Sequence, residues 1–246
     1  MGFVLLAIVV AIVVQSLRID KHPIAHLLAG CLFGFRDGAN TMTTPALTRK
    51  EEIWLACKQK SCCYAAFVLP SGRDVWRISR ALMAPPWTFL IYFQSPQPRP
   101  DGFILDASGR QFRLALSKQP SRRTKTPPPC IFLMKTRQGH HRCGLGDLRP
   151  QVCKSFPSEM SEGIVRIITD TGCTCHKWSL SDVDIEEERS RVEVRHSEYE
   201  EYCGVVQRWN RYAATELAAA PPDSAFDFYD YCEYLLANYD ELKVES

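Results

Sequence analysis

The sequence predicts an α+β fold built on a small irregular cysteine-cluster core, with a β-hairpin and C-terminal helices. Three observations lead to this prediction. Capping patterns open two short helical segments early in the chain, and two apolar stretches flank a glycine-containing turn. Long helical patterns fill the last quarter of the sequence. Eleven cysteines lie mostly in groups between these elements, so we expect the core to be organised around them.

Two helices are predicted before residue 90. Thr48 followed by Glu51 is a capping-box pattern, and the segment that it opens runs into Cys57, so this helix would carry the first cysteine group at its end. Ser71 to Asp74 gives a second start signal, and Pro85-Pro86 stops the helix that follows. The apolar stripe of this second helix consists of Val75, Ile78, Leu82 and Trp76.

The middle of the chain combines a hairpin with irregular sequence. Residues 103–105 and 112–116 are apolar and flank a short polar turn with Gly109, which predicts two antiparallel strands. Residues 118–129 are basic and proline-rich and are expected to form a loop. Residues 130–157 have little periodicity and many Gly, Pro, His and Cys residues, as expected of a stretch ordered by a ligand.

The end of the chain is predicted to be helical after one more strand. Residues 164–169 have the pattern of a strand. Asp184 completes a capping pattern, and residues 186–220 and 226–242 are helical in character. Their many aromatic side chains are expected to form a layer packed on the cysteine core rather than a binding surface.

Composition and length limit the possible classes of protein. Hydrophobic residues make up 46% of the 246 residues and charged residues 24%, which is typical of a globular protein. The formal net charge of +2 gives no electrostatic reason to expect a nucleic-acid partner. We expect an N-terminal apolar segment over 1–41, either retained or absent in the mature fold, a metal-binding domain over 42–180, and a helical extension over 181–246 packed on it.

The N-terminus decides the expected compartment. Residues 2–14 are apolar or small, but a transmembrane helix needs about 17 to 25 such residues, and charged residues follow this run closely. A signal peptide would need a basic region before the run, and none is present. Translation from Met42 would remove the segment altogether. We therefore predict a cytoplasmic protein without a membrane partner; the alternatives are membrane association through residues 2–14 and export.

The grouping of the cysteines favours metal binding over a disulfide framework, which belongs mainly to short secreted chains. Clustered thiolates are soft ligands that hold zinc or an iron-sulfur cluster, and their spacing does not separate these two cofactors. Cys203 and Cys232 lie among apolar residues and are expected to be buried and unligated. The candidate metal ligands are Cys57, Cys62, Cys63, Cys130, Cys143, Cys153, Cys173 and Cys175.

Other residues near these groups have more than one interpretation. His140 and His141 precede Cys143 and would suit nitrogen ligation, although a solvated loop is the interpretation we favour. Cys173 and Cys175 are two residues apart and would chelate a metal, form a redox pair, or take no part in the site.

The motifs around the cysteines resemble those of the CxxCxxCC zinc- or iron-chelating family, the YkgJ-like cysteine-cluster proteins. The resemblance covers roughly residues 54–175 and implies a zinc or iron-sulfur site held by cysteines. The matching segments are Cys62-Cys63, Asp74-Val75-Trp76-Arg77-Ile78, Pro129-Cys130-Ile131-Phe132-Leu133, Cys143, and Arg149-Pro150-Gln151-Val152-Cys153-Lys154-Ser155-Phe156-Pro157. The chain departs from the family at its first motif, because Cys57 is one residue too close to Cys62 and the second cysteine of the pattern is absent.

These patterns predict that the protein binds a metal, and two alternative functions remain open. One relative in the family, the flagellin lysine methylase, is an enzyme, so the resemblance also suggests a protein-modifying activity. The sequence has no glycine-rich nucleotide-binding motif, no P-loop and no HExxH helix, and we assign no catalytic residue. The other alternative is an exported protein stabilised by disulfides.

Overall fold

The computed structural model describes residues 47–57, 61–65, 67–120, 127–137, 139–168, 173, 176–221 and 223–244. They belong to one compact unit, residues 47–246. The apolar run at residues 2–14 and Cys175 lie outside the described residues. Within the described ranges, no helix is long and apolar enough to cross a membrane.

The structure alternates helices with short antiparallel strands and confirms the predicted α+β class. The helices are α1 (Arg49–Ala56), α2 (Ser61–Ala65), α3 (Gly72–Leu82), α4 (Gln151–Ser155), α5 (Ile185–Ala219) and α6 (Phe228–Val244). The strands are β1 (Leu90–Gln94), β2 (Phe103–Ile104), β3 (Gln111–Leu116), β4 (Leu133–Lys135), β5 (His141–Cys143), β6 (Ser158–Ser161) and β7 (Ile164–Ile167). Short 3₁₀ turns lie at Pro86–Thr88, Gly146–Leu148 and Leu180–Asp182.

Both predicted capping boxes are present. The Thr48 hydroxyl accepts from the N–H of Glu51 at the start of α1, and the Ser71 hydroxyl accepts from the N–H of Asp74 at the start of α3. In return, the Asp74 carboxylate accepts from the N–H of Ser71 at 3.0 Å. Helix α3 ends at Met83, whose φ of 50° is left-handed, and Pro85 follows two residues later.

The predicted hairpin is confirmed as part of a larger sheet. Strands β2 and β3 pair antiparallel with Phe103 opposite Phe112, and Gly109 in the connecting turn has a φ of +71°. Strand β1, which we did not predict, pairs with the other edge of β3 and gives the strand order β1-β3-β2.

Residues 130–157 are more regular than predicted. Strands β4 and β5 form a small hairpin in which Leu133 faces Cys143, and α4 follows. A second hairpin pairs β6 with β7, where only the second strand was predicted. Strands of three or four residues are too short to show an alternating apolar pattern, which explains why the sequence did not reveal them.

The aromatic residues of the C-terminal helices form much of the core. Trp209 of α5 and Tyr231 of α6 are buried, and the Tyr231 ring stacks on Phe103 with centroids 3.9 Å apart. The Trp209 indole N–H also donates to the carbonyl of Ile104 at 2.7 Å. These contacts hold α5 and α6 against the three-stranded sheet, while the opposite end of α5 packs against α4 and β6.

Candidate metal centre

Five cysteines from separate parts of the fold come together at one place. Cys62 and Cys63 lie on α2, Cys130 lies in the bridge that pairs it with Lys118, Cys143 ends β5, and Cys153 lies on α4. The thiols of Cys143, Cys130 and Cys62 are close enough to Cys153 to affect its ionisation. The structure therefore groups five of the eight predicted ligands, which are separated by up to ninety residues of sequence.

Backbone hydrogen bonds fix these segments relative to one another. The N–H of Cys130 donates to the carbonyl of Cys63 at 2.7 Å, which joins the bridge to α2. The N–H of Leu133 then donates to the carbonyl of Cys130 at 2.9 Å, and the β4–β5 pairing brings Cys143 alongside. The segments that carry four of the five cysteines are thus held by main-chain contacts that do not depend on the sulfur atoms.

The surroundings of the thiols disfavour the thiolate form in the absence of a cation. A hydrogen bond with Cys62, followed by burial, raises the pKa of Cys63. Burial also raises the pKa of Cys130 and Cys143, and raises that of Cys153 well above its usual value. A thiol whose pKa is raised stays protonated at neutral pH and is a weaker nucleophile than a thiolate.

Two of the cysteines lie in turns that direct a backbone N–H at their own sulfur. The N–H of Phe132 interacts with Cys130 and the N–H of Leu145 with Cys143, and each lowers the pKa of its partner against the effect of burial. In both cases the donor lies two residues after the cysteine. Hydrogen bonds to sulfur stabilise and orient thiolate ligands in metal sites, so these turns would suit a bound metal.

Two cations lie beside the cluster. The Lys118 ammonium donates to the carbonyls of Cys63 and Tyr64 at 3.3 and 3.2 Å, and its charge acts on Cys130 and Cys63. The Arg149 guanidinium acts in the same way on Cys143. Positive charges at these positions would offset part of the negative charge of several thiolates around one metal.

Helix α4, which carries Cys153, is held by side chains from elsewhere in the fold. Its first N–H, at Gln151, donates to both carboxylate oxygens of Asp74, at 3.1 and 3.3 Å. Near its other end, the carbonyl of Lys154 accepts from the Lys50 ammonium at 2.7 Å. An anion at the N-terminus and a cation at the C-terminus of a helix both oppose its dipole, so α1 and α3 together fix the orientation of α4.

A buried ion network supports Asp74. The Arg77 guanidinium donates to Asp74 at 2.6 Å and to the two carboxylate oxygens of Glu198 at 2.7 and 2.9 Å. Glu198 also accepts from the Ser71 hydroxyl at 3.1 Å. We did not predict this network, although charged residues on the buried face of an otherwise apolar helix are the signal that would have indicated it.

The remaining predicted residues lie in different situations. Cys57 is the C-cap that follows α1 and is part of a disulfide, so in this state it has no thiolate to offer a metal. Cys173 is half-buried and Cys175 is outside the described residues. His140 is exposed and His141 is half-buried at the start of β5, with its ring edge-on to Tyr64. Cys203 and Cys232 are buried free thiols, as predicted.

The thiol cluster is not arranged as a finished coordination sphere. Among the described residues, no group of three or more His, Cys, Asp or Glu side chains is placed to hold a metal ion. The donor chemistry fits a soft metal, because five thiols converge and two have hydrogen bonds to sulfur. A cysteine side chain has one rotatable bond, so ligation would require changes of χ1 at some of these residues.

A cavity of about 440 Å³ adjoins the cluster. Cys62, Cys63, Cys143 and Cys153 form part of its wall. Most of the remaining wall consists of aromatic and aliphatic side chains, and several charged residues also line it. The cluster is therefore next to a space large enough for a small molecule.

Comparison of the chain with protein-family models found no match, and comparisons with curated proteins and with solved structures found none either. The resemblance to the CxxCxxCC family therefore rests on the motifs themselves and remains a prediction.

Proposed function

We propose that this protein binds zinc or an iron-sulfur cluster through the converging thiols of Cys62, Cys63, Cys130, Cys143 and Cys153. The observation that carries the proposal is this convergence of five thiols from four separate segments. Burial of a single cysteine is common, because its side chain packs as a small apolar group. Five in one place, two of them with N–H groups directed at sulfur, is the pattern expected of metal ligands.

The first effect of the metal would be to stabilise the fold. It would join α2, the bridge at Cys130, β5 and α4, whose own secondary structure is short. Short helices and strands are marginal alone, and metal-binding free energy adds directly to their folding. A metal would also supply the positive charge that makes the thiolate form favourable at these buried sites. Bound zinc supplies structural cross-linking, while an iron-sulfur cluster supplies electron transfer.

The state of the cysteines favours this function over a disulfide framework. Eight cysteines within the described ranges are free thiols, and five of these form the cluster. Cys57, in contrast, is part of a disulfide. A protein whose stability depended on disulfides would be expected to pair the cysteines that lie nearest to one another.

The test is the metal content of protein purified without oxygen, measured by elemental analysis together with an ultraviolet-visible spectrum. We expect about one zinc per chain without visible absorbance, or iron with labile sulfide and a brown colour. Cys62→Ser and Cys153→Ser should each lower the metal content and the yield of folded protein. Cys203→Ser is the matched control, because Cys203 is a buried free thiol on α5 outside the cluster, and it should leave metal content unchanged.

Cobalt substitution keeps the test informative if the serine variants do not fold. Wild-type protein is treated with a chelator under reducing conditions and titrated with Co²⁺, which gives sulfur-to-cobalt charge-transfer bands only when thiolates bind it. Addition of Zn²⁺ should remove these bands. Absence of the bands from folded protein with intact thiols would contradict the proposal, as would full metal content in both serine variants.

A further inference from the structure

We propose that the cavity beside the cysteine cluster is a binding site for a small aromatic carboxylate. Such a ligand would be bound by the shape and the charges of the cavity wall, with or without a metal at the cysteines. Two features carry it: an apolar wall rich in rings, and two cations on that wall that have no carboxylate of the described residues within ion-pair distance.

The wall of the cavity has the composition of a ligand site rather than that of a hydrated surface. Its rings and aliphatic groups come from several elements and loops and would contact the apolar part of a flat ligand. These side chains include Trp54, Leu55, Phe67, Val152, Phe156 and Trp178. Small-molecule sites are typically apolar spaces of about 300 to 1,000 Å³ with a few placed polar groups, and this cavity is of that size.

The charged residues of the wall are not balanced. Lys50 pairs with Glu188 at 2.6 Å. Arg191 pairs with Glu188 at 2.7 Å and with Glu187 at 2.6 Å, so two carboxylates compensate these two cations. Glu51 on the same wall uses one carboxylate oxygen, Oε2, to accept from the backbone N–H and the hydroxyl of Thr48 in the capping box of α1.

Arg149 and Lys154 differ from these pairs. Neither is within ion-pair distance of any carboxylate in the described part of the chain, although Asp147 also lines the cavity. The Arg149 guanidinium lies over the Trp54 ring, 5.4 Å from its centroid, and its Nε donates to the carbonyl of Gly146 at 3.2 Å.

This arrangement defines the ligand. A guanidinium held over an indole ring has a fixed plane and is suited to bind a carboxylate through two parallel hydrogen bonds. Trp54 beside it would contact the ring of the same ligand. A carboxylate attached directly to an aromatic ring satisfies both requirements, and Lys154 supplies a second positive charge.

The experiment is a calorimetric titration with 1-naphthoate as the probe and with neutral 1-naphthamide, which has nearly the same shape, as the matched ligand. We expect wild-type protein to bind naphthoate about tenfold or more tightly than naphthamide, because only the carboxylate of naphthoate can form a hydrogen-bonded charge pair with Arg149. Arg149→Gln and Lys154→Gln should each weaken naphthoate binding, the first by about tenfold or more, with little change for naphthamide. Each variant is compared with wild type by circular dichroism.

Arg211→Gln is the control variant, because Arg211 is an exposed arginine on α5 outside the cavity wall, and its affinity for naphthoate should equal that of wild type. Titrations are done on protein as purified and on chelator-treated protein. Binding of naphthoate is therefore measured independently of whether the protein holds a metal. Binding of naphthoate to either form with the expected dependence on Arg149 supports the proposal. Equal affinity for the two ligands, unchanged binding by folded Arg149→Gln protein, or no binding to either form would overturn it.

Discussion

Replacement of Arg77 by methionine tests the buried ion network that supports the candidate site. The Arg77 guanidinium lies between the carboxylates of Asp74 and Glu198. Asp74 is 1% exposed and Glu198 is 6% exposed. Methionine keeps an unbranched side chain in the space of the arginine stem and removes the guanidinium. The two carboxylates would then lie close together in a buried site without a counter-charge.

The expected loss of stability is about 3 kcal/mol. Removal of one partner from a buried ion pair costs about 3 to 5 kcal/mol. The lower end applies here, because each carboxylate keeps other donors: Asp74 accepts from the N–H groups of Ser71 and Gln151, and Glu198 from the Ser71 hydroxyl. A loss of this size is a large fraction of the roughly 5 to 15 kcal/mol that stabilises a typical domain.

The loss should depend on pH in a defined direction. Burial raises the pKa of Asp74 even with Arg77 present, and without the guanidinium the folded-state pKa would rise further. A carboxyl whose pKa is raised on folding destabilises the protein when it is ionised. The effect of Arg77→Met should therefore be greatest at neutral pH and shrink as the pH falls from the raised folded-state pKa toward the unfolded value of about 4.

Urea unfolding at pH 7 and pH 5, followed by circular dichroism, gives the two free energies of unfolding. Arg80→Met is the matched control: Arg80 lies one turn further along α3 and pairs with Asp240 at the surface, where both side chains are about half exposed. Exposed pairs contribute about 1 kcal/mol at most, so this variant should change little. A loss below about 1 kcal/mol for Arg77→Met, or an equal loss at both pH values, would refute the reasoning.

Two further predictions concern backbone positions and use the same unfolding assay. Gly72→Ala places a methyl group 2.5 Å from the buried Tyr239 ring and should cost about 1 to 3 kcal/mol, whereas Gly204→Ala, whose methyl group meets its nearest atom at 3.7 Å, should stabilise α5 by up to about 1 kcal/mol. A stabilising effect of Gly72→Ala would contradict the close packing of α3. Met83→Gly should stabilise the protein by about 1 kcal/mol, because Met83 is 83% exposed and left-handed; a loss would show that its side chain matters more than its φ of 50°.

The sequence predicted the elements whose signals are local. Capping boxes need only four residues, so the starts of α1 and α3 were found at Thr48 and Ser71. The long helix α5 was predicted from its periodicity and from a capping pattern that begins at Ser181 and is completed by Asp184; in the structure Asp184 is itself the N-cap and accepts from the N–H of Glu187. Strands of three residues such as β4 carry too little pattern to be detected, and their pairing depends on partners elsewhere in the chain.

The sequence predicted that cysteines form the candidate site, but it did not predict which of them lie together or which other residues lie beside them. Cysteine spacing predicted the groups that supply the five clustered thiols. Spacing did not predict that Cys57 would be in a disulfide, since that depends on which sulfur is near in space. Nor did it predict Lys118 or Arg149, because a cation gains its role from where folding places it relative to the thiols.

The position of Cys153 shows most clearly why the site depends on the whole fold. Helix α4 has five residues and no side-chain cap of its own, so it would be marginal in isolation. Asp74 from α3 accepts its first N–H, and Lys50 from α1 donates to the carbonyl of Lys154 near its end. Asp74 is in turn balanced by Arg77, which also pairs with Glu198 on α5. Side chains from three helices thus fix the position of one cysteine. A substitution in the ion network would therefore move Cys153 even though every cysteine is retained.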